Sequence, residues 1–196
     1  MEIKLSNLTE INGLTKPTGT SALGMKLALS SGKMKPSEVL EECIANIDLY
    51  EEHVRAWAYI NIDGAREVAR ELDNKKPSGA LFGIPFAIKD NIDTFDMLTE
   101  YGTDIYLGYQ PGRDAACVAG MRSSNGVALG KTICTEFAHR HPGKTANPWN
   151  IEHTPGGSSS GSAAAVASGM VPIAIGTQTT GSVIRPAAYC GVIGYK

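Results

Sequence analysis

The sequence predicts an α/β protein, in which strands and helices pack in layers around one core. Short apolar, strand-like segments alternate along the chain with segments whose apolar residues recur at helical spacing. Of the 196 residues, 42% are apolar and 19% are charged, which is enough apolar sequence to bury a core and excludes the disordered class. Hydroxyl-rich loops directly follow apolar segments, and α/β sheets place their ligands in such loops.

The first 80 residues are predominantly helical in pattern. A short helix is expected over residues 20–31, because Gly32 provides a stop signal directly after it. A longer amphipathic helix is expected over 36–50, with Pro36 at its first turn. A short strand over 57–62 and a third helix over 64–74 complete this part of the prediction.

The remaining sequence alternates more strictly between strands and helices. Residues 81–88 form a dense apolar run, too short for a confident helix and long enough for a buried strand, and Lys89 follows it. A helix is predicted over 114–124, a strand over 127–129, a loop over 147–157 and a strand over 171–175.

Charge and composition exclude several partners. Lys and Arg total 18 and Asp and Glu total 20, so the net charge of −2 gives no global basic field for nucleic acid or an anionic membrane. No apolar run approaches the roughly 20 residues of a membrane span. Residues 1–10 lack the pattern of a signal peptide, so a cytoplasmic location is expected.

The cysteines and histidines are too scattered for a metal site. The four cysteines lie far apart without a C-x-x-C pair, which argues against zinc and against a disulfide scaffold. We expect all four to be small buried thiols, and we expect no cofactor; they are Cys43, Cys117, Cys134 and Cys190.

The Gly/Ser-rich run 156–162 is the first candidate functional segment. Such a run is usually a linker, but here it leads directly into Ala-rich sequence with good helix propensity. A phosphate-binding loop would need a Lys that Ser160-Gly161-Ser162 lacks. A nucleophile elbow would need Gly-x-Ser-x-Gly directly after a strand, which is also absent. Glycines before a helix can bring backbone N–H groups and a hydroxyl to one point.

A second hydroxyl cluster, Thr179 to Ser182, follows the strand predicted over 171–175. Gly181 lets the backbone approach a ligand closely. Ser182 would need a base, because a free hydroxyl is a weak nucleophile. Lys89 is the remaining candidate, since desolvation at the end of an apolar strand would lower its pKa.

Three separated motifs in this order closely resemble the amidase signature family. They are Gly83-Ile84-Pro85-Phe86-Ala87-Ile88-Lys89-Asp90, the run Gly156 to Ser162, and Gly181-Ser182 with Arg185-Pro186-Ala187. The resemblance implies a mixed β-sheet flanked by helices, with a helical arm over 1–80 and the α/β core over 81–196. Within the family, residues 176–179 and 141–145 are most similar to malonamidase and carboxybiuret hydrolase.

The resemblance also implies a Ser-Ser-Lys triad. Ser182 would be the nucleophile, Ser158 the bridging serine and Lys89 the base, and backbone N–H groups of Thr179, Thr180, Gly181 and Ser182 would form the oxyanion hole. The offset of 24 residues between Ser158 and Ser182 favours Ser158 over Ser159 as the bridge.

Neighbouring polar residues leave alternatives open. Ser159 is expected to bond backbone, Ser160 to be a bystander and Asp90 to be structural. Arg185 either forms a structural ion pair or holds a substrate carboxylate. Thr180 replaces a glycine common in the family, and its side chain would crowd bulky substrates.

Three functions fit these residues. The first is an amidase that converts a small carboxamide to a carboxylate and ammonia. The second is an inactive, truncated relative, because family domains continue well past Lys196, and a sheet edge would then be left for a second copy or a partner chain to cover. The third is an amidotransferase component that releases ammonia from glutamine. The resemblance of Gln178 and His141-Pro142-Gly143 to the malonamidase type disfavours this third function.

Overall fold

Six strands and six helices make up the computed structural model, which describes Glu10, Ile11, Leu14, Thr15 and residues 21–196. The strands are β1 Glu10–Ile11, β2 Leu14–Thr15, β3 Trp57–Ile60, β4 Pro85–Lys89, β5 Val127–Thr132 and β6 Ile173–Ile175. The helices are α1 Ala22–Ser30, α2 Pro36–Val54, α3 Ile62–Asp73, α4 Ala116–Ser123, α5 Ser160–Ala167 and α6 Ile184–Cys190. Single 3₁₀ turns span Asp104–Tyr106 and Glu136–Ala138.

A four-stranded mixed sheet forms the centre, in the order β3-β5-β4-β6. Strand β4 runs parallel to both β5 and β6, whereas β3 is antiparallel to β5. The small β1–β2 pair is separate from this sheet. Because β4, β5 and β6 share one direction, the loops that follow them emerge at the same edge of the sheet. The predicted α/β class with a mixed sheet is confirmed.

Local sequence signals explain where the long helices begin and end. Pro36 occupies the first turn of α2, and the Glu38 carboxylate accepts a hydrogen bond from Lys35 N at 2.8 Å. Arg55 ends α2 in the left-handed conformation, with φ of 52°. The Asn61 side chain caps α3 by accepting from Gly64 N at 3.2 Å.

Strands β4 and β6 begin later than predicted, whereas β3 and β5 begin at the predicted residues 57 and 127. Residues 81–83 form a turn, in which Gly83 has φ of +69° and lies against Pro36, so β4 starts only at Pro85. Strand β6 likewise begins at Ile173 instead of residue 171. Helix α5 begins inside the Gly/Ser run at Ser160, so this run is a helix entry and not a linker.

One apolar cluster joins the helices of the first 80 residues to the sheet. It contains buried residues of α2, β3, α3, β4, β5 and α5, among them Leu40, Trp57, Leu129 and Ala164. The expected boundary at residue 80 stays a prediction, and β3 lies in the same sheet as β5. Most of residues 1–20 lie outside the described residues. The signal-peptide argument and the predicted start of the first helix at residue 20 concern this part of the chain.

Burial of the cysteines follows the helix faces. Cys43, Cys134 and Cys190 are buried, but Cys117 is exposed, so the expectation of four buried thiols was wrong at this position. Helix α4 buries Val118, and Cys117 lies on its solvent side. None of the helices in residues 21–196 combines the length and apolar character that a bilayer crossing requires.

Candidate active site

Lys89 is the last residue of β4 and its side chain is completely buried. Its Nζ donates hydrogen bonds to Ser158 Oγ at 2.7 Å and to Thr177 Oγ1 at 2.8 Å. The three residues come from the ends of β4 and β6 and from the entry to α5, all at the sheet edge where the parallel strands end. The fold therefore brings Lys89 and Ser158, 69 residues apart in sequence, into direct contact.

Burial controls the protonation of Lys89. It disfavours the ammonium form and lowers the pKa of Lys89 from 10.5 to about 8, and only the charged thiolate form of the nearby Cys134 would oppose this shift. In turn, burial raises the pKa of Cys134 to about 11, so this thiol is neutral at pH 7. A lysine whose pKa lies near 8 has an appreciable neutral fraction near neutrality and can act as a base.

Ser158 lies in a loop that backbone hydrogen bonds connect to two other segments. The Gly157–Ser158 peptide bond is cis, and Ser158 O accepts from Thr135 N at 3.1 Å. The next residue, Ser159, donates its N–H to Ser182 O at 3.0 Å. Ser158 is fully buried, so it lies on the inner side of the site with Lys89.

Ser182 is only partly buried and lies in the loop between β6 and α6. This loop is shaped by Gln178, whose Oε1 accepts from Val183 N at 2.8 Å and from Ile184 N at 2.9 Å. Among the described residues, the N–H groups of 179–182 donate no hydrogen bond to the protein. Thr179 and Thr180, the first two residues of this row of free donors, are exposed, so the row is open to a ligand from solvent.

Arg185 ties α6 to the loop that carries Ser158. Its Nε and Nη2 donate to Gly157 O at 2.9 and 2.6 Å. Within the described part of the chain Arg185 forms no ion pair, and its guanidinium group binds a backbone carbonyl instead, so both alternatives for this residue stay predictions. The residue is exposed overall.

Ser159 and Asp90 have the structural contacts expected of them. Ser159 Oγ donates to Thr177 O at 3.3 Å. Asp90 is buried, accepts from Glu100 N at 3.2 Å, and lies 3.5 Å from Lys131 Nζ. Ser160 Oγ is also engaged, since it donates to Ile133 O at 3.3 Å. Burial raises the pKa of Asp90 and lowers that of Lys131, and their attraction opposes both shifts.

Thr177 is the polar contact of Lys89 that the sequence did not single out. Its hydroxyl also lies 3.0 Å from Asn91 Nδ2 and 3.4 Å from Asn91 Oδ1. The sequence signal that could have identified Thr177 is its position two residues after β6, at the sheet edge where β4 ends with Lys89. In residues 21–196, no group of three or more His, Cys, Asp or Glu side chains is arranged to hold a metal ion.

Comparison with curated proteins gives long matches to one kind of enzyme component. A glutamyl-tRNA(Gln) amidotransferase subunit from Macrococcus caseolyticus is 40% identical over 169 residues, covering 83% of this chain and 35% of that protein. The corresponding protein of Halothermothrix orenii is 42% identical over 174 residues, covering 86% and 36%. The chain thus spans little more than a third of the length of these relatives.

Solved structures share the fold. Peptide amidase from Stenotrophomonas maltophilia superposes with a TM-score of 0.84 at 34% identity, covering 90% of this chain and 40% of the amidase. A 6-aminohexanoate cyclic dimer hydrolase gives 0.80 at 31% identity, covering 88% and 36%. The sequence model of the Amidase family matches residues 38–196, which include all three motifs. With sequence, fold and motif order in agreement, the chain belongs to the amidase signature family.

Proposed function

We propose that this chain carries the catalytic residues of an amidase that hydrolyses a small carboxamide to a carboxylate and ammonia. Ser182 is the nucleophile, Ser158 the bridging serine and Lys89 the base. The observation that carries the proposal is the buried amine of Lys89, with its lowered pKa, 2.7 Å from Ser158 Oγ. The hydrogen bond from Ser159 N to Ser182 O supports a position of Ser182 next to this pair.

The proposed reaction begins with proton transfer along the triad. Ser182 Oγ attacks the amide carbonyl carbon while its proton passes to Ser158 Oγ, and the proton of Ser158 passes to neutral Lys89 Nζ. The carbonyl oxygen becomes an oxyanion, and the free N–H groups of 179–182 are the donors proposed to stabilise it.

Product release uses the same path in reverse. Lys89 returns its proton through Ser158 to the amide nitrogen, the C–N bond breaks, and ammonia leaves an acyl-enzyme on Ser182. A water molecule then attacks the ester in the same way and releases the carboxylate. One oxyanion donor is typically worth about 3–4 kcal/mol of transition-state stabilisation.

The proposed substrate is a small linear amide that bears a carboxylate. Arg185 is exposed beside the loop of Ser158, and its guanidinium can bind a carboxylate with donors left over from Gly157 O. Thr180 adds bulk beside the proposed oxyanion hole, which favours small substrates. In this proposal the enzyme works in the cytoplasm, either as a dimer of two copies or together with a partner chain.

A second candidate is release of ammonia from glutamine as one component of an amidotransferase. The observation that favours it is the 40–42% identity to subunits of glutamyl-tRNA(Gln) amidotransferases. The same triad would serve, with the ammonia passed to a partner enzyme. Glutamine as the preferred substrate would select this candidate over the small-amide hydrolase.

Ammonia release from malonamide, a carboxybiuret-like amide and glutamine tests both candidates. Ser182→Ala is expected to abolish ammonia release while circular dichroism stays unchanged. Ser168→Ala is a matched control, because the buried hydroxyl of Ser168, directly after α5, donates to Ala164 O. A folded chain that releases no ammonia from any of the three would reject both candidates and leave an inactive relative.

Arg185→Lys tests the substrate class. We expect a higher KM for acid-bearing amides and little change for neutral amides of the same size, because Lys lacks the two-pronged donor geometry of Arg. Equal losses on both kinds of amide would instead assign Arg185 to holding the loop at Gly157.

A further inference from the structure

The hydroxyl of Thr177 lies between the Lys89 amine and the Asn91 amide. Lys89 Nζ is 2.8 Å from Thr177 Oγ1 on one side, and Asn91 Nδ2 is 3.0 Å from it on the other. Lys89 is completely buried and Thr177 and Asn91 are half-buried, so these contacts are largely shielded from water. Neither Asn91 nor Thr177 has a role in the proton path proposed above.

A threonine hydroxyl has two acceptor sites and one proton to donate. When Lys89 and Asn91 Nδ2 both donate to Thr177 Oγ1, the two acceptor sites are filled. The hydroxyl proton is then directed to the acceptor that remains, Asn91 Oδ1 at 3.4 Å. Thr177 is thereby held as an acceptor toward Lys89.

This polarity matters for a neutral lysine, which has two N–H donors and one lone pair. If Thr177 accepts one N–H, its own proton cannot occupy the lone pair of Lys89. Ser158, 2.7 Å away, is then the hydroxyl toward which the lone pair is free to point. Ser158 is the residue from which the base must take its proton in the proposed reaction.

We propose that Asn91 and Thr177 are positioning residues that direct the lone pair of the Lys89 amine at Ser158. The inference rests on the proposed function for its catalytic consequence. The pair acts on the orientation of a base, through hydrogen bonds alone, and no covalent step passes through either residue.

Other titratable groups around Lys89 set the background for a pH test. The thiol of Cys134, which follows β5, acts on the pKa of Lys89 only when it is ionised, and the buried Asp90 and Lys131 form a pair with a separation of 3.5 Å. Substitutions at 177 and 91 leave these groups in place. Changes in the titration of Lys89 can therefore be assigned to the substituted residue.

The first variants remove or retain the hydroxyl. Thr177→Val removes the hydroxyl that accepts a hydrogen bond from Lys89. The ammonium form of Lys89 loses more stabilisation than the neutral amine, because charge-assisted hydrogen bonds are stronger, so the pKa of Lys89 should fall. The ammonia-release rate on its high-pH plateau should nevertheless fall at least about tenfold with KM little changed, since the amine is no longer oriented. Thr177→Ser should restore most of the rate, and Thr145→Val, which removes a hydroxyl bonded to Arg55 O, is the matched control.

The Asn91 variants separate orientation from charge. Asn91→Asp keeps an acceptor for the Thr177 proton and adds a negative charge, so the pKa of Lys89 should rise while the plateau rate is largely kept. Asn91→Leu frees the Thr177 proton to bond the lone pair, so the plateau rate should fall. A wild-type plateau in Thr177→Val, or an equal loss in Thr177→Ser, would overturn the inference.

Nuclear magnetic resonance titration of the Lys89 side chain, assigned with Lys89→Met, requires no turnover. If the wild-type chain releases no ammonia, the proposed function fails, yet this titration still decides the arrangement. A lower pKa of Lys89 in Thr177→Val and a higher one in Asn91→Asp support it. An unchanged pKa of Lys89 in both variants contradicts it.

Discussion

At the scale of single residues, Lys89 shows how burial lowers the pKa of an amine. An exposed lysine is an ammonium ion at pH 7, but this one lies at the end of a strand that is buried along its whole length. Within the described residues its hydrogen-bond partners are hydroxyls and not carboxylates, so none of them supplies a counter-charge that would restore the pKa that desolvation lowers. The same burial places it next to Ser158.

The rate of ammonia release is expected to rise with pH, with a midpoint near the Lys89 pKa of about 8. The neutral amine is the active form, so the rate should fall about tenfold for each pH unit below the midpoint. Initial rates measured between pH 6 and pH 10 test this, with exposed Lys26→Met in α1 as the control that keeps the profile. A midpoint at the ordinary lysine value of 10.5 would contradict the assignment of Lys89 as base.

The stability of the fold should carry the same signature. The pKa of Lys89 is lowered in the folded state, so between about 8 and 10.5 the unfolded chain binds more protons than the folded one. The contribution of Lys89 to the free energy of unfolding therefore rises with pH through this window and is lost as pH falls through 8. Urea unfolding of the wild type and of Lys89→Met at each pH measures this contribution as the difference between their free energies of unfolding.

At the scale of elements, the close approach of α5 to the sheet positions Ser158. Gly161, in the first turn of α5, donates its N–H to Ile133 O at 2.9 Å. A Cβ at this position would collide with Ala56 O and Ile133 N. Glycine is required there because backbone, which cannot rotate away, occupies the space of a side chain.

Gly161→Ala is expected to lower the free energy of unfolding by about 1–3 kcal/mol, because α5 must move away from the backbone that precedes β3 and follows β5. Gly120→Ala is the matched control: no neighbouring heavy atom lies within 4 Å of its new Cβ in α4, and it should stabilise by about 0.5–1 kcal/mol. Urea unfolding measures both. Equal effects of the two substitutions would show that the packing of α5 does not need this glycine.

At the scale of the whole molecule, one apolar cluster contains buried residues from both sides of residue 80. Helix α2 and strand β3 contribute to the cluster that contains buried residues of β4, β5 and α5. Asn46 in α2 also donates to Gly169 O, 123 residues away, at 2.8 Å. The first helices are thus packed on the sheet that carries Lys89, which favours unfolding as one cooperative unit.

Leu40→Ala should therefore lower the unfolding midpoint reported by every probe. Leu40 is completely buried in α2, and its truncation is expected to cost about 2–5 kcal/mol. Leu49→Ala in the same helix is the control, since Leu49 is 46% exposed and should change stability by about 0.5 kcal/mol or less. Circular dichroism and tryptophan fluorescence should give coincident transitions. Two separate transitions, of which Leu40→Ala shifts only one, would instead support an independent arm over residues 1–80.

The sequence alone was sufficient for the elements whose cause is local. Pro36 and the glycine after α1 mark helix boundaries, and the apolar run before Lys89 marks a buried strand, because such signals act over a few residues. Its motifs were also enough to point to the family, whereas the triad roles that they imply for Lys89, Ser158 and Ser182 stay predictions. The start of β4 was misplaced, since the turn at Gly83 depends on packing against Pro36.

Contacts between distant segments were decided only by the tertiary structure. Lys89 and Thr177, which are 88 residues apart in sequence, meet because they lie at the same end of two parallel strands. The partner of Arg185 is a backbone carbonyl, which neither composition nor residue spacing reveals. Exposure of Cys117 likewise depends on which face α4 presents to the sheet. The sequence by itself determined which groups can do chemistry, and the pairing of the parallel strands decided which of them meet, because hydrogen bonding and desolvation act only over a few ångströms.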